Sequence, residues 1–265
     1  KNDREDFEKK WEDIKIFIQY GSITDEKFWD RAKSFFLLKN VEGKYFTLDE
    51  YKTYIETLQK DKNETLVYLY AADAEKQHIY IQSAQERGYD VLLMDSILDA
   101  HFINMLEQKL EKSKFARVDA DVIDKLIEKE DSLISKLSEE ERKNLSEIFE
   151  KSVEKEKFTV VVESLNDTDL PVMIMQNEFM RRFQDMERLS GQNGMYGRFE
   201  HYNLVVNDNN EVIVNLLKEE DAEKKSQMTQ QLVDLALLSQ NMLTGEKLSQ
   251  FVRRSLDFID RKSVV

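Results

Sequence analysis

The sequence predicts a helix-rich α+β fold in two parts: a small α/β/α unit with a short parallel sheet, then a mixed helix and strand unit ending in a helical hairpin. Three observations carry that prediction. Only one Pro and seven Gly occur in 265 residues, so the two residues that break helices are scarce. Long stretches repeat their apolar residues every three or four positions, the period of one helix face. Short β-branched and aromatic runs interrupt them, and two such runs are separated by a single helical segment.

Phe7, Trp11, Ile14 and Ile18 mark a first helix ending near Gly21, and a second is expected from about Asp25 to Leu38. Asn40 and Gly43 make a turn. Thr47 followed by Glu50 has capping-box spacing for a third helix bearing Tyr51, Tyr54, Ile55 and Leu58. Leu66-Val67-Tyr68-Leu69-Tyr70 and Val91-Leu92-Leu93-Met94 are buried strands on either side of a polar helix from about Asp73 to Arg87, the pattern of a right-handed βαβ crossover. Residues 119 to 157 are almost all charged or helix-forming, which suggests a linker with a solvated helix face leading into the second part. There, strands are expected at Thr159–Val162 and Val172–Met175, on either side of the turn residues Asn166 to Asp169. His201–Val206 and Val212–Leu217 flank Asn207-Asp208-Asn209-Asn210, residues that tolerate the backbone a β-hairpin needs. Helices at about 219 to 243 and 246 to 260 close the chain around Gly245.

Lys plus Arg number 39 against 53 Asp plus Glu, a net charge of −14, which argues against binding a phosphate backbone. No Cys occurs, so disulfides, thiolate zinc sites and cysteine nucleophiles are excluded and a cytosolic location is expected. Apolar runs are far shorter than the roughly 20 residues that span a bilayer, and neither a membrane partner nor a signal peptide is expected. The chain starts at Lys1 within a charged amphipathic stretch without an initiator Met, as a fragment would. His78, His101 and His201 are too scattered for a metal-ligand pair. Asp119, Asp121 and Asp124 lack the glycine and distal glutamate of a calcium loop and are better explained as helix caps. Gly191, Gly194 and Gly197 follow a helix and do not match a dinucleotide loop, so they suggest a mobile loop. No catalytic residue and no metal ligand is assigned.

Apolar stripes remain. Met175, Phe179, Phe183, Met186 and Leu189 fall within an arc of roughly 120° on a helix, either a core stripe or a partner-binding face rich in adaptable Met. In the last two helices, Met228, Leu232, Leu235, Ala236, Leu238 and Met242, then Leu248, Phe251, Val252, Leu256 and Ile259, form a second stripe. It packs within its own domain or forms a two-fold, four-helix interface.

Several stretches together resemble the heat-shock protein 90 chaperones, most closely the bacterial members. Thr47-Leu48-Asp49-Glu50-Tyr51 and Leu66-Val67-Tyr68-Leu69-Tyr70-Ala71-Ala72-Asp73 are similar to two of the family's segments. Gly88-Tyr89-Asp90-Val91-Leu92-Leu93-Met94 resembles its Gly-x-Glu-Val-Leu strand. Leu165 to Pro171, Leu204 to Asn207 and Phe251-Val252-Arg253-Arg254 follow in the family's order. The resemblance implies that residues 1–126 are the later part of a middle domain and 127–265 a C-terminal dimerisation domain. It implies a homodimeric stress-response chaperone that binds partly unfolded client proteins. The full-length protein would use ATP and Mg, both bound ahead of Lys1, so this segment would be non-enzymatic and hold no cofactor. Client contact is assigned to Phe179, Met180, Phe183 and Met186, and to His101 and Phe102, where many relatives have Trp and an apolar residue. The dimer interface is assigned to Leu232, Leu235, Leu238, Leu248, Phe251, Val252, Leu256 and Ile259. The competing expectation is a helical adaptor that dimerises and docks one protein without any ATP cycle.

Overall fold

The computed structural model describes residues 3–129, 133–176 and 201–262. The chain divides between Glu130 and Asp131 into two compact units. The first begins with α1 (Arg4–Thr24) and α2 (Glu26–Ala32). Helix α1 runs through Gly21, where the missing side chain lets α2 approach: a Cβ on Gly21 would stand 2.9 Å from the ring of Phe28. Helix α2 is shorter than the sequence pattern suggests. Leu37–Lys39 leaves it as β1, pairing antiparallel with β2 (Tyr45–Thr47), and this extended segment keeps Phe36, Leu37 and Leu38 all buried. Thr47 and Glu50 make the expected capping box at α3 (Leu48–Ile55).

A parallel sheet follows, with β3 (Leu66–Ala71) in the centre, β4 (Leu92–Leu93) on one side and β5 (Ser113–Arg117) on the other. Helix α4 (His78–Glu86) makes the expected crossover but starts late. Gln77 Oε1 accepts from the amides of Ala72 and Asp73 at 2.8 and 2.9 Å, which holds residues 72 to 77 in a turn. The strand β5 is not foreshadowed by the pattern, because Ser-Lys-Phe-Ala-Arg carries two cations; Phe115 and Ala116 are its buried residues. Helices α5 (Asp99–Lys109) and α6 (Ile123–Leu126) complete the unit. Its core joins Trp11, Phe36, Tyr51, Tyr68, Phe102 and Leu106. Asp119 and Asp124 pair with Arg117 and Arg87 and do not cap helices, while Asp121 accepts the amide of Val122. Among the described residues, no group of three or more His, Cys, Asp or Glu is arranged to hold a metal ion, and no helix is long and apolar enough to cross a membrane.

In the second unit, α7 (Glu139–Glu150) corrects the linker expectation, since Leu145 and Phe149 on it are fully buried. The sheet has β8 (Tyr202–Asn207) between β6 (Phe158–Glu163), parallel to it, and β7 (Val172–Met175), antiparallel. Val212–Leu217 is not the second arm of a hairpin. It lies in α8 (Glu211–Lys218), whose first turn is capped by the Asn210 side chain accepting from the amide of Val212. The other Asx residues brace the same corner. Asn207 Oδ1 accepts the amides of Leu165 and Asn209, and buried Asp208 pairs with Arg142 at 3.1 Å. The helices α9 (Ala222–Ser239) and α10 (Gly245–Lys262) end the chain, and Leu204, Val206, Ile213, Leu216, Val233 and Ala236 share the core with α7.

Candidate functional site

The terminal hairpin is built by local signals at both ends. Asp221 caps α9 by accepting the amides of Glu223 and Lys224. At its other end Asn241, with φ +55°, takes the left-handed conformation that terminates helices. The amides of Asn241 and Met242 then donate back to Leu238 and Leu237. Gly245, at φ +60°, opens α10 where a residue with a side chain would be strained.

The apolar stripe splits into two faces. Leu232 and Phe251 are buried within the unit at 8% and 9% exposure, Leu248 is half-buried, and Val233 and Ala236 also pack into the core. Leu235, Leu238, Val252, Leu256 and Ile259 are not covered: their exposures run from 39% to 65%. Leu232 and Phe251 therefore belong to the fold of the protomer, and five of the eight residues assigned to an interface are exposed. Between the two helices lies a polar seam that the apolar spacing does not single out, where Arg254 on α10 meets Asp234 and Gln231 on α9. Its only signal is polar residues one turn apart, Gln231 and Asp234, set inside an apolar stripe.

On α5, His101 is half-buried and Phe102 has no exposed surface. The Phe102 ring stacks on Phe36 with centroids 4.5 Å apart and meets Trp29 edge-on at 6.1 Å. Phe102 is a core residue, which corrects its assignment to a client-binding surface; the two neighbours point apart because consecutive helical residues lie about 100° from each other. Phe179, Met180, Phe183 and Met186, and the Gly191 to Gly197 cluster, lie outside the described residues.

Asp99, at the start of α5, is tied to α1. Its Oδ1 accepts from Gln19 Nε2 at 2.5 Å, its Oδ2 from the amide of Ser96 at 2.6 Å, and Ser96 Oγ donates to Gln19 Oε1 at 3.0 Å. Burial pushes its carboxyl up to about 6, against the opposing pull of the Ser96 amide, Gln19 and Lys15, with Asp95 adding a small upward push. A raised carboxyl stabilises the fold below its unfolded value of about 3.9, and that contribution is lost as pH rises through about 6. The rise to about 6 corresponds to the order of 3 kcal/mol. Asp99→Asn is expected to flatten the decline in stability between pH 4 and 6 and to raise the melting temperature at pH 7.5. Urea titrations at several pH values check this, and an unchanged slope would refute it.

The chain is thus a two-unit α+β protein of net charge −14 whose terminal hairpin exposes an apolar face. The chain belongs to the Hsp90 protein family, whose model matches residues 1–260. It is similar to the chaperone protein htpG of Bacteroides fragilis, 37% identical over 327 residues that cover 98% of this chain and 48% of that protein. The HtpG of Porphyromonas gingivalis is 38% identical over 323 residues, covering 96% of this chain and 47% of that one. That of Bacteroides thetaiotaomicron is 36% identical over 327 residues, with 98% and 48% covered. The chain spans about half the length of these relatives.

Proposed function

We propose that these residues form the later middle domain, 1–126, and the C-terminal dimerisation domain, 127–265, of a homodimeric cytoplasmic chaperone that binds partly unfolded proteins. The observation that carries this reading is the uncovered stripe of Leu235, Leu238, Val252, Leu256 and Ile259 at the end of a chain matched by the Hsp90 family over residues 1–260. Five exposed large aliphatic residues on one hairpin fit contact with an identical hairpin across a two-fold axis. Family membership favours the chaperone over an adaptor that lacks an ATP cycle. In this reading ATP and Mg act in the full-length protein, and the present segment contributes no catalytic residue and no cofactor ligand. Its role is to join two copies and to offer them apolar surface, so that weak contacts on one extended client reinforce each other through effective concentration.

Client contact falls on Phe179, Met180, Phe183 and Met186, with half-buried His101 beside the core. Large, adaptable Met and Phe side chains at helical spacing support this, because they can fit many sequences. The double variant Phe183→Ser/Met186→Ser in the full-length chaperone is expected to lose suppression of client aggregation while its melting temperature hardly changes. A large drop in melting temperature would instead identify the stripe as core.

A further inference from the structure

Polar side chains occupy the contact between α9 and α10, where apolar packing would serve stability equally well. Asp234 is only 4% exposed at its side chain and Arg254 19%. Arg254 Nη2 donates to Asp234 Oδ2, and Arg254 Nε donates to Gln231 Oε1 at 2.8 Å. Gln231 Nε2 in turn donates to Ser255 Oγ at 2.8 Å, and Gln230 Nε2 to Asp234 Oδ1 at 2.9 Å. Both carboxylate oxygens are thus occupied, and the guanidinium reaches two acceptors one turn apart on α9.

A buried ion pair adds little net stability, because the loss of hydration offsets the attraction. Its leverage lies in what misalignment costs. If α10 slid along α9 by one turn, about 5.4 Å, Arg254 would leave both acceptors and Asp234 would be buried without a cation. Leu and Phe side chains at the same seam would resist such a slip far less, since apolar contacts can repack with similar total volume. Val252, Leu256 and Ile259 are carried by α10, whereas Leu235 and Leu238 are carried by α9. The register of the pair therefore decides whether the five uncovered residues form one continuous surface.

We propose that Asp234, Gln231, Arg254 and Ser255 are a register lock: positioning residues that hold α10 against α9 so that the uncovered faces of the two helices match a second copy of this chain. The choice of partner rests on the dimer reading above. The lock itself is a property of one protomer.

The chain has no Cys, so single cysteines introduced at the exposed positions Ser226 and Asp257 can carry a spin-label pair. Excess unlabelled chain confines the measured distances to one protomer. The parent is expected to give one narrow distance distribution. The apolar replacement Asp234→Leu/Arg254→Met is expected to broaden it or split it, to leave the melting temperature no lower, and to raise the dimer dissociation constant at least tenfold. The milder Arg254→Lys, which keeps the charge and loses the fork to Gln231, is expected to broaden the distribution even if the double variant folds poorly. An unchanged distribution in Arg254→Lys overturns the lock whatever the oligomeric state. A broadened distribution with an unchanged dissociation constant overturns its role in positioning the interface. A monomeric parent at micromolar concentration overturns the dimer reading instead, and the distances still decide the lock.

Discussion

Replacing Leu256 by Asp is expected to convert a dimer of this chain into a folded monomer. Leu256 is 60% exposed and sits between Val252 and Ile259 on the exposed face of α10. A two-fold axis would place the substitution in the interface twice, and each carboxylate would have to lose its hydration on association. Roughly 2 kcal/mol for each copy amounts to about a thousandfold in the dissociation constant. Sedimentation across a concentration series reads that change directly, while far-UV circular dichroism is expected to retain the helical signal. Leu232→Asp makes the contrast, because Leu232 is turned into the core with Leu204 and Val233: it is expected to unfold the second unit. Equal dissociation constants for Leu256→Asp and the parent would refute the interface.

The contrast between Leu256 and Leu232 also marks where the sequence stops being legible. Helical period identifies a stripe, but a hairpin has a face toward its own sheet and a face away from it, and both are apolar here. The packing of α9 on β7, α7 and α8 separates them. Strands are legible where they are buried on both faces, as in Leu66–Ala71, and illegible where cations interrupt a short apolar run, as Lys114 and Arg117 do around Phe115 and Ala116. Val212–Leu217 shows the opposite error. Its run of aliphatics suits a strand, yet Asn210 is placed to cap a helix, and Ile213 and Leu216 then fall on one buried face at a spacing of three. Asn207 to Asn210 makes the turn its composition suggests, but the turn leads into a helix: the Asn207 and Asn210 side chains bond the backbone around them and Asp208 pairs with Arg142, which composition alone does not distinguish. The polar seam of Gln231, Asp234 and Arg254 is hidden for a related reason: charged residues on a helix usually face solvent.

Phe102 tests the same limit in the first unit. Resemblance placed it on a client-binding surface beside His101, whereas it fills the space between Phe36 and Trp29 with no exposed area. Phe102→Ala removes most of a ring from the centre of the first unit, and large-to-small changes of this kind cost about 3–5 kcal/mol. Against a typical total of about 5–15 kcal/mol, that loss brings the unit near its unfolding threshold. Phe102→Leu keeps most of the volume and is expected to cost less than half as much, since the stacked contact is lost but the cavity is small. His101→Ala, one position away and half-buried, is expected to change stability by no more than about 0.5 kcal/mol, as substitutions outside the core usually do. Urea titration of the three variants gives the order directly. Equal stabilities for Phe102→Ala and His101→Ala, together with weakened suppression of client aggregation by Phe102→Ala, would return Phe102 to the binding surface. The stacked rings predict instead that Phe102→Ala unfolds at markedly lower urea and that any loss of chaperone activity follows from that unfolding.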